Sequence, residues 1–154
     1  MIFQRGIEIG WALPPVSRQM NLRQFEERHP MLYGEGAWPH KNIHSDAEAA
    51  RAEGLPGPVG SAPTFFALVT RAMMTCFGAG WVVGGRASLK MIKSVYMDDF
   101  VTAKGVLKEK HDEGDFVRYL FDVWVENQQR EKVVVGTASA LLPAQVEHAD
   151  STSP

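Results

Sequence analysis

The segment Ala62–Phe77 has the sequence APTFFALVTRAMMTCF and lies between Ser61 and Gly78. Apolar residues occupy almost every side of a helix with this sequence, which predicts a helix that is buried on most faces. At about 1.5 Å per residue, such a helix is long enough to cross a curved sheet. We therefore expect this segment to be the central helix of the domain.

Four segments rich in Val, Tyr, Phe and Trp follow the central helix. The composition predicts strands at residues 86–96, 101–111, 116–126 and 132–142. The polar connections 112–115 and 127–130 are typical of hairpins, so the last three strands should form an antiparallel meander. A long buried helix followed by several long strands predicts an α+β domain, in which a curved antiparallel sheet wraps around the helix.

The length and net charge of the chain limit the classes of protein to which it can belong. The chain has 154 residues, a hydrophobic fraction of 45% and a formal net charge of −2. We expect one domain over residues 1–143 and a flexible polar tail over residues 144–154. The slightly negative net charge does not indicate a basic surface for nucleic acid. No segment has the apolar length of a signal peptide or a membrane span. We therefore expect a cytoplasmic protein with no nucleic-acid or membrane partner.

The chain offers little material for a metal or a nucleotide cofactor. Its single cysteine, Cys76, lies within the central helix and is expected to be a core thiol. The spacing of His29, His40 and His44 matches no standard zinc pattern. The glycines at 78–80 and 84–85 follow a helix and precede a strand, the reverse of a dinucleotide fingerprint, so we expect turns there and no cofactor.

The segment before the central helix contains the most informative loop. Residues 42–51 have the sequence NIHSDAEAAR, and residues 54–59 have the sequence GLPGPV. Asp46 is a predicted N-cap for a short helix over residues 47–53, which Gly54 ends. Residues 31–43 have no clean period and should form an irregular loop that delivers His44, after a short helix over residues 21–29.

These residues resemble the signature of the MaoC-like, or (R)-specific enoyl-CoA hydratase, family of hot-dog folds. In that family a loop Asn-Pro-(Ile/Leu)-His-x-Asp precedes a short helix and a glycine-rich turn, and a later turn resembles residues 95–99, VYMDD. The resemblance extends from about Gly10 to the last strand. It implies a hot-dog fold and a hydro-lyase that adds or removes water across the C2–C3 bond of an acyl thioester, with no cofactor.

The resemblance also implies roles for individual residues. In the family, the loop histidine and an aspartate five residues before it hold the attacking water, which assigns His44 as the acid and base. A neutral imidazole can take a proton from water and return it. Backbone amides at the start of the central helix hold the thioester oxygen, and unpaired N–H groups suit that oxyanion. The resemblance therefore predicts a substrate-binding set of Asn42, Ser61, Ala62, Thr64 and Trp38.

The chain departs from the family pattern at the acidic position. Pro39 lies five residues before His44, and no aspartate occurs between Met1 and Asp46. The candidates for the missing role are Glu35 on the same loop, His40 as a second imidazole, and Asp46, although N-capping explains Asp46 fully. His44 itself has a plainer interpretation as a loop residue beside a helix.

Several functions stay open at this stage. The leading hypothesis is a homodimeric enzyme that acts on an acyl-CoA or acyl-carrier thioester, because a single curved sheet leaves an edge for a second copy. The alternatives are a non-catalytic thioester-binding or partner subunit of a hydratase, and a specialised dehydratase or cyclase on a larger substrate. A thioesterase is disfavoured because residues 62–77 contain no carboxylate. Arg86, Lys90 and Lys93 either meet substrate phosphates or form a solvated face.

Overall fold

The computed structural model describes residues 7–21 and 41–144. Within these ranges the sheet has five strands in the spatial order β1-β3-β4-β5-β2. The strands are β1 (Val16–Gln19), β2 (Arg86–Met91), β3 (Phe100–Glu113), β4 (Phe116–Glu126) and β5 (Lys132–Pro143). The helices are α1 (Ala47–Ala52), α2 (Ala62–Phe77) and α3 (Ala79–Gly84). The predicted α+β class and the predicted meander of the last three strands are confirmed.

Helix α2 has the predicted bounds and packs against the sheet. Pro63 lies in its first turn, where the absent N–H costs no helical hydrogen bond, and Gly78 ends the helix with φ 50°. Its buried side chains meet those of the central strands, as in the edge-to-face contact of Phe77 with Phe121 at 5.5 Å between ring centroids. Such contacts hold α2 across the inner face of the sheet.

One face of α2 is more exposed than its composition suggested. Phe66 and Met74 are 40% and 39% exposed, whereas Phe65, Met73 and Phe77 are buried. The apolar pattern therefore serves two surfaces: one side of the helix fills the core, and the other presents apolar side chains to the outside of this chain.

The glycine-rich segment after α2 is not a pair of turns, and that prediction is wrong. Residues 79–84 form the short helix α3 against β5. A Cβ atom on Gly80 would lie 1.8 Å from the carbonyl oxygen of Leu141, so the backbones touch there. Glycine permits this close approach, which covers the part of β5 that extends beyond its pairing with β2.

The first predicted strand after the helices is also shorter than expected. Strand β2 ends at Met91, because the N–H groups of Ile92 and Lys93 both donate to the carbonyl oxygen of Val133 and interrupt the regular ladder. The chain then crosses to the segment before α2, where Gly60 N–H donates to the carbonyl oxygen of Val95 at 2.7 Å. This crossing brings the end of β2 next to the loop that carries His44.

Three predictions fall wholly or mainly outside the described residues. These are the helix over residues 21–29, most of the loop over residues 31–43, and the tail after residue 144. The longest described helix, α2, has 16 residues, fewer than the roughly 20 that a membrane span needs.

Candidate functional site

The loop that carries His44 is shaped by Asn42. The side-chain oxygen of Asn42 accepts a hydrogen bond from the His44 N–H at 2.8 Å. Its backbone oxygen accepts from Ser45 N–H at 3.1 Å and Asp46 N–H at 2.9 Å. This is the local bonding by which asparagine stabilises a turn. Asn42, a predicted substrate-binding residue, therefore forms the turn that presents the histidine.

The imidazole of His44 is held by a backbone carbonyl. Its Nδ1 atom lies 2.8 Å from the oxygen of Val59. A carbonyl oxygen accepts hydrogen bonds and cannot donate them, so Nδ1 carries the proton in this contact. In the neutral ring Nε2 then carries the lone pair, and it is the nitrogen that can accept a proton.

The carbonyl of Val59 is itself fixed from both sides. Val59 N–H donates to the oxygen of Ile43 at 3.0 Å, and Val59 pairs with Tyr96 in an isolated antiparallel bridge. Met97 N–H donates to the oxygen of Pro58 at 3.2 Å. Residues 58–60 therefore form a short extended segment between the His44 loop and the crossing after β2, and this segment orients the imidazole.

The crossing segment, residues 92–99, connects β2 to β3 and is held in place by a tight turn at Asp99. One carboxylate oxygen of Asp99 accepts from Tyr96 N–H at 2.8 Å, and the other accepts from the side chain of Gln128 at 2.6 Å. Within the turn, Asp98 has a positive φ of 71°. The sequence resemblance indicated this turn, and the hydrogen bonds connect it through Tyr96 to Val59.

Asp46 is the N-cap of α1, as predicted. Its Oδ1 atom accepts from Ala49 N–H at 2.8 Å, and its Oδ2 atom lies 3.8 Å from Lys41 Nζ. Both oxygens therefore have local partners, and the capping bond accounts for Asp46 at the start of this helix without any catalytic role. The further assignment of Asp46 as an acid stays a prediction.

The predicted oxyanion donors lie at the start of α2. Thr64 N–H donates to the oxygen of Ser61 at 3.0 Å, and the hydroxyls of Ser61 and Thr64 lie 3.4 Å apart. Among the described residues no acceptor bonds to the Ala62 N–H. First-turn amides lack intrahelical acceptors and carry partial positive charge, so the Ala62 N–H suits a developing oxyanion. Ala62 lies three residues after Val59, which holds His44.

A cavity of about 300 Å³ opens beside this support. Val59, Gly60 and Phe65 form one side of it, and the crossing segment forms the other. Met91 and Ile92 are 48% and 47% exposed there, so the cavity offers apolar surface. Sequence reasoning missed this cavity, because residues 91–95 were assigned to an unbroken strand. The complete lining is Val59, Gly60, Phe65, Met91, Ile92, Lys93, Ser94 and Val95.

The remaining predicted site residues are divided between described and undescribed parts of the chain. Glu35, Trp38 and His40 lie outside the described residues, so their predicted roles stay predictions. Lys93 lies at the cavity, but its Nζ is bound to Glu131 at 2.8 Å. Cys76 is buried, as predicted, and burial raises the pKa of its thiol, which disfavours the reactive thiolate.

A metal site has no support in the part of the chain that the structure describes. In residues 7–21 and 41–144, no group of three His, Cys, Asp or Glu side chains comes together to hold a metal ion.

Comparison with known proteins identifies the fold. No protein-family model matches the sequence, and no curated protein matches it. Solved structures do match. The chain superposes on the (R)-hydratase from A. caviae involved in PHA biosynthesis with a TM-score of 0.70 and 16% identity, covering 91% of this chain and 100% of that one. A MaoC-like dehydratase from Rhodospirillum rubrum gives 0.71 and 17%, covering 95% and 99%.

A third similar structure comes from a complex of two different chains. A chain of the ChsH1-ChsH2 complex from Mycobacterium tuberculosis matches with a TM-score of 0.66 and 18% identity, covering 90% of this chain and 98% of that one. The long central helix and five-stranded antiparallel sheet are thus those of the hot-dog fold that MaoC-like dehydratases and (R)-hydratases share. The fold that the sequence resemblance implied is confirmed.

Proposed function

We propose that this protein is a MaoC-like hydratase or dehydratase that acts on an acyl thioester of the enoyl and 3-hydroxyacyl type. In the hydration direction, His44 Nε2 takes a proton from water as the oxygen attacks C3 of the enoyl group. The electron pair of the C2–C3 double bond moves toward the thioester carbonyl, and a proton returned to C2 completes the addition. In the dehydration direction the same steps run in reverse.

The observation that carries this proposal is the contact between His44 Nδ1 and the Val59 oxygen at 2.8 Å. It commits the proton of the neutral ring to Nδ1 and directs the basic nitrogen away from the supporting segment. A positioned imidazole of this kind contributes typically about 10²–10⁴-fold to a reaction that moves a proton in the transition state.

The Ala62 N–H is the proposed partner of the thioester oxygen. Negative charge develops on that oxygen as C3 is attacked, and a fixed amide at a helix start stabilises it without reorganisation. Pro63 has no N–H to contribute, so the donor from the first turn is Ala62. The adjacent cavity beside Phe65 would take the acyl group.

The acid that accompanies His44 is assigned to Glu35, with His40 as the alternative. Pro39 replaces the aspartate of the family pattern, and Asp46 already caps α1. A glutamate four residues before Pro39 has a longer side chain than aspartate, which suits a carboxylate that starts further from the histidine along the loop.

The active form is proposed to be a homodimer. Strand β2 is an edge strand of the sheet, and exposed apolar side chains flank it on both sides along the chain. Val82 and Val83 are 69% and 86% exposed before β2, and Met91 at its end and Ile92 just after it are about half exposed. Pairing with a second copy would cover this edge and the apolar residues beside it.

A partner subunit without catalytic activity is the second candidate. Pro39 in place of the aspartate favours it, and two similar structures come from heteromeric assemblies, the ChsH1-ChsH2 complex and the HadBC dehydratase complex of Mycobacterium tuberculosis. This candidate predicts a chain that binds acyl thioesters or another chain but does not turn a substrate over.

The deciding experiment is the hydration of crotonyl-CoA and of longer and branched enoyl thioesters, followed by loss of the enoyl absorbance. His44→Ala should lower turnover by about 10²-fold or more, and Glu35→Gln should lower it if Glu35 is the acid. His148→Ala and the exposed Glu48→Gln are the matched controls and should behave as the parent chain. A parent chain that binds these thioesters but hydrates none would replace the enzyme proposal with the partner-subunit candidate.

A further inference from the structure

A second pocket lies on the outer face of the sheet, the face turned away from α2. Its volume is about 320 Å³, and it spans strands β2, β3, β4 and β5. The side chains that define its character are two arginines, one histidine and three hydroxyl residues: Arg86, Arg118, His111, Ser88, Thr137 and Ser139. We call this set the outer pocket. It shares no residue with the cavity beside Val59.

The strand register brings these polar side chains onto one face. Arg86 is paired with Ser139, and Ser88 is paired with Thr137, across β2 and β5. On the other side, His111 of β3 is paired with Arg118 of β4. Because alternate residues of a strand point to opposite faces, these pairs all face outward. Their neighbours Ala138 and Ala140 face the core and are buried.

Arg118 is a buried and rigidly held residue of the outer pocket. It is only 7% exposed, and its Nε and Nη2 atoms donate to the two carboxylate oxygens of Glu113 at 2.6 and 3.0 Å. Its Nη1 atom donates to the Gly84 oxygen at 2.9 Å and to the Ser139 hydroxyl at 3.2 Å. These bonds hold the guanidinium rigid, and Glu113 balances its charge.

Several polar groups of the outer pocket lack an acceptor among the described residues, whereas His111 Nε2 lies 2.9 Å from a carboxylate oxygen of Glu109. Ser139 accepts from Arg118, so its own O–H is available to donate. Within the described residues, no hydrogen bond or ion pair joins Arg86, Ser88 or Thr137 side chains to a protein acceptor. The positive charge of Arg86 helps to lower the pKa of Glu113 through space, without a hydrogen bond between the two side chains. No carboxylate is among the residues that line the pocket, which combines several hydroxyl groups with the positive charge of Arg86.

We propose that the outer pocket binds a phosphoryl group. A phosphoryl group presents three terminal oxygens and a charge of about −1.5 to −2 near pH 7, which matches a planar guanidinium surrounded by hydroxyls. A rigid Arg118 that already holds Ser139 in place lowers the cost of ordering such a site. The group is carried either by inorganic phosphate or by a phosphate ester. This inference is independent of the proposed chemistry at His44.

The test is equilibrium binding of inorganic phosphate and of adenosine 3′,5′-bisphosphate to the full chain, measured by calorimetry at constant ionic strength. Arg86→Gln removes the positive charge of Arg86 and keeps the hydrogen bonds between Arg118 and Glu113. Lys90→Gln is the matched control, because Lys90 is an exposed cation on the same face of β2 but outside the pocket lining. Thr137→Val removes one hydroxyl and keeps the side-chain shape.

The proposal expects binding with a dissociation constant of about 1 mM or tighter, weakened about tenfold or more by Arg86→Gln and by a smaller factor by Thr137→Val. Lys90→Gln should leave it unchanged. Binding of the bisphosphate alone would identify a phosphate ester as the natural occupant, and equal binding of both would identify the phosphoryl group by itself. No binding of either probe, or equal weakening by Arg86→Gln and Lys90→Gln, would overturn the site.

Discussion

The Nδ1 atom of His44 lies 2.8 Å from the carbonyl oxygen of Val59, fifteen residues along the chain. Main-chain bonds fix that oxygen, since Val59 pairs with Tyr96 on one side and donates to Ile43 on the other. The backbone carbonyl of Val59 therefore orients the imidazole through Nδ1. This arrangement keeps the histidine in place even though the usual aspartate position holds Pro39.

The contact with Val59 predicts the tautomer of His44. In the neutral ring, Nδ1 should carry the proton and Nε2 should be the unprotonated nitrogen. Long-range ¹⁵N–¹H NMR correlations distinguish the two tautomers, and the spectrum of His44→Ala identifies the ring signals. A neutral ring with its proton on Nε2 would contradict the proposed direction of proton transfer.

Substitutions at Asp46 separate a capping role from a catalytic one. Asp46→Ala should lower the free energy of unfolding by about 1 kcal/mol, because the Ala49 N–H loses its acceptor. Asp46→Ser keeps a capping oxygen and should retain most of the stability. If capping is the whole role, Asp46→Ser also keeps turnover. A large fall in kcat at unchanged stability would instead make Asp46 the acid.

The positive φ of Asp98 predicts opposite effects for two small substitutions. Asp98 has φ 71°, a conformation that glycine adopts without steric cost and that alanine does not. Asp98→Gly should therefore be more stable than Asp98→Ala by about 1 kcal/mol. Urea unfolding of the two variants measures the difference. Equal stabilities would mean that the turn relaxes to another conformation when the side chain changes.

The contact between α3 and β5 predicts that Gly80 tolerates no side chain. A Cβ atom at Gly80 would overlap the Leu141 carbonyl oxygen, so Gly80→Ala must push the helix off the strand. We expect a loss of about 2 kcal/mol or more of unfolding free energy. Gly57→Ala is the control, because nothing lies within 4 Å of a Cβ there and its φ is not positive. Similar stabilities of both variants would argue against this packing.

The bond between Arg118 and Glu113 predicts an acid-sensitive contribution to stability. The hydrogen bond from Arg118 holds the pKa of Glu113 below its ordinary value. A lowered pKa in the folded state means that the stabilisation is complete above the ordinary glutamate pKa and is lost as the pH falls through the lowered value. Unfolding free energies measured across this acidic range should fall less steeply for Glu113→Gln. Parallel profiles would show that the pair does not contribute.

Much of the fold could be predicted from local patterns. The bounds of α2 follow from Ser61, Pro63 and Gly78 around an apolar run, and β4 follows from β-branched and aromatic residues between two hairpins. These elements carry their start and stop signals in their own residues. The prediction failed at α3, because its six residues carry glycines that indicate a turn, while its helical form depends on packing against β5.

The candidate site was predictable only in part, because some of its contacts depend on tertiary packing and not on neighbouring residues. Local residue patterns predicted the Asp46 cap and the start of α2, and the resemblance indicated His44 as a candidate. The carbonyl that orients His44 belongs to the backbone of Val59. Because every residue has a backbone carbonyl, the sequence does not indicate which one contacts the imidazole. The outer pocket was equally hidden, because four strands that lie far apart along the chain contribute to it.

The sequence by itself determined α2, the meander of β3, β4 and β5 and the Asp46 cap, because helix caps, hydrophobic period and turn residues act over a few neighbouring positions. Only the tertiary structure decided which groups meet. The crossing after Met91 joins Val95 to Gly60 and so fixes the support of His44, and the register of β2 on β5 sets Arg86 beside Ser139. Such contacts depend on how the sheet curves around α2, and that curvature is set by the packing of the whole core.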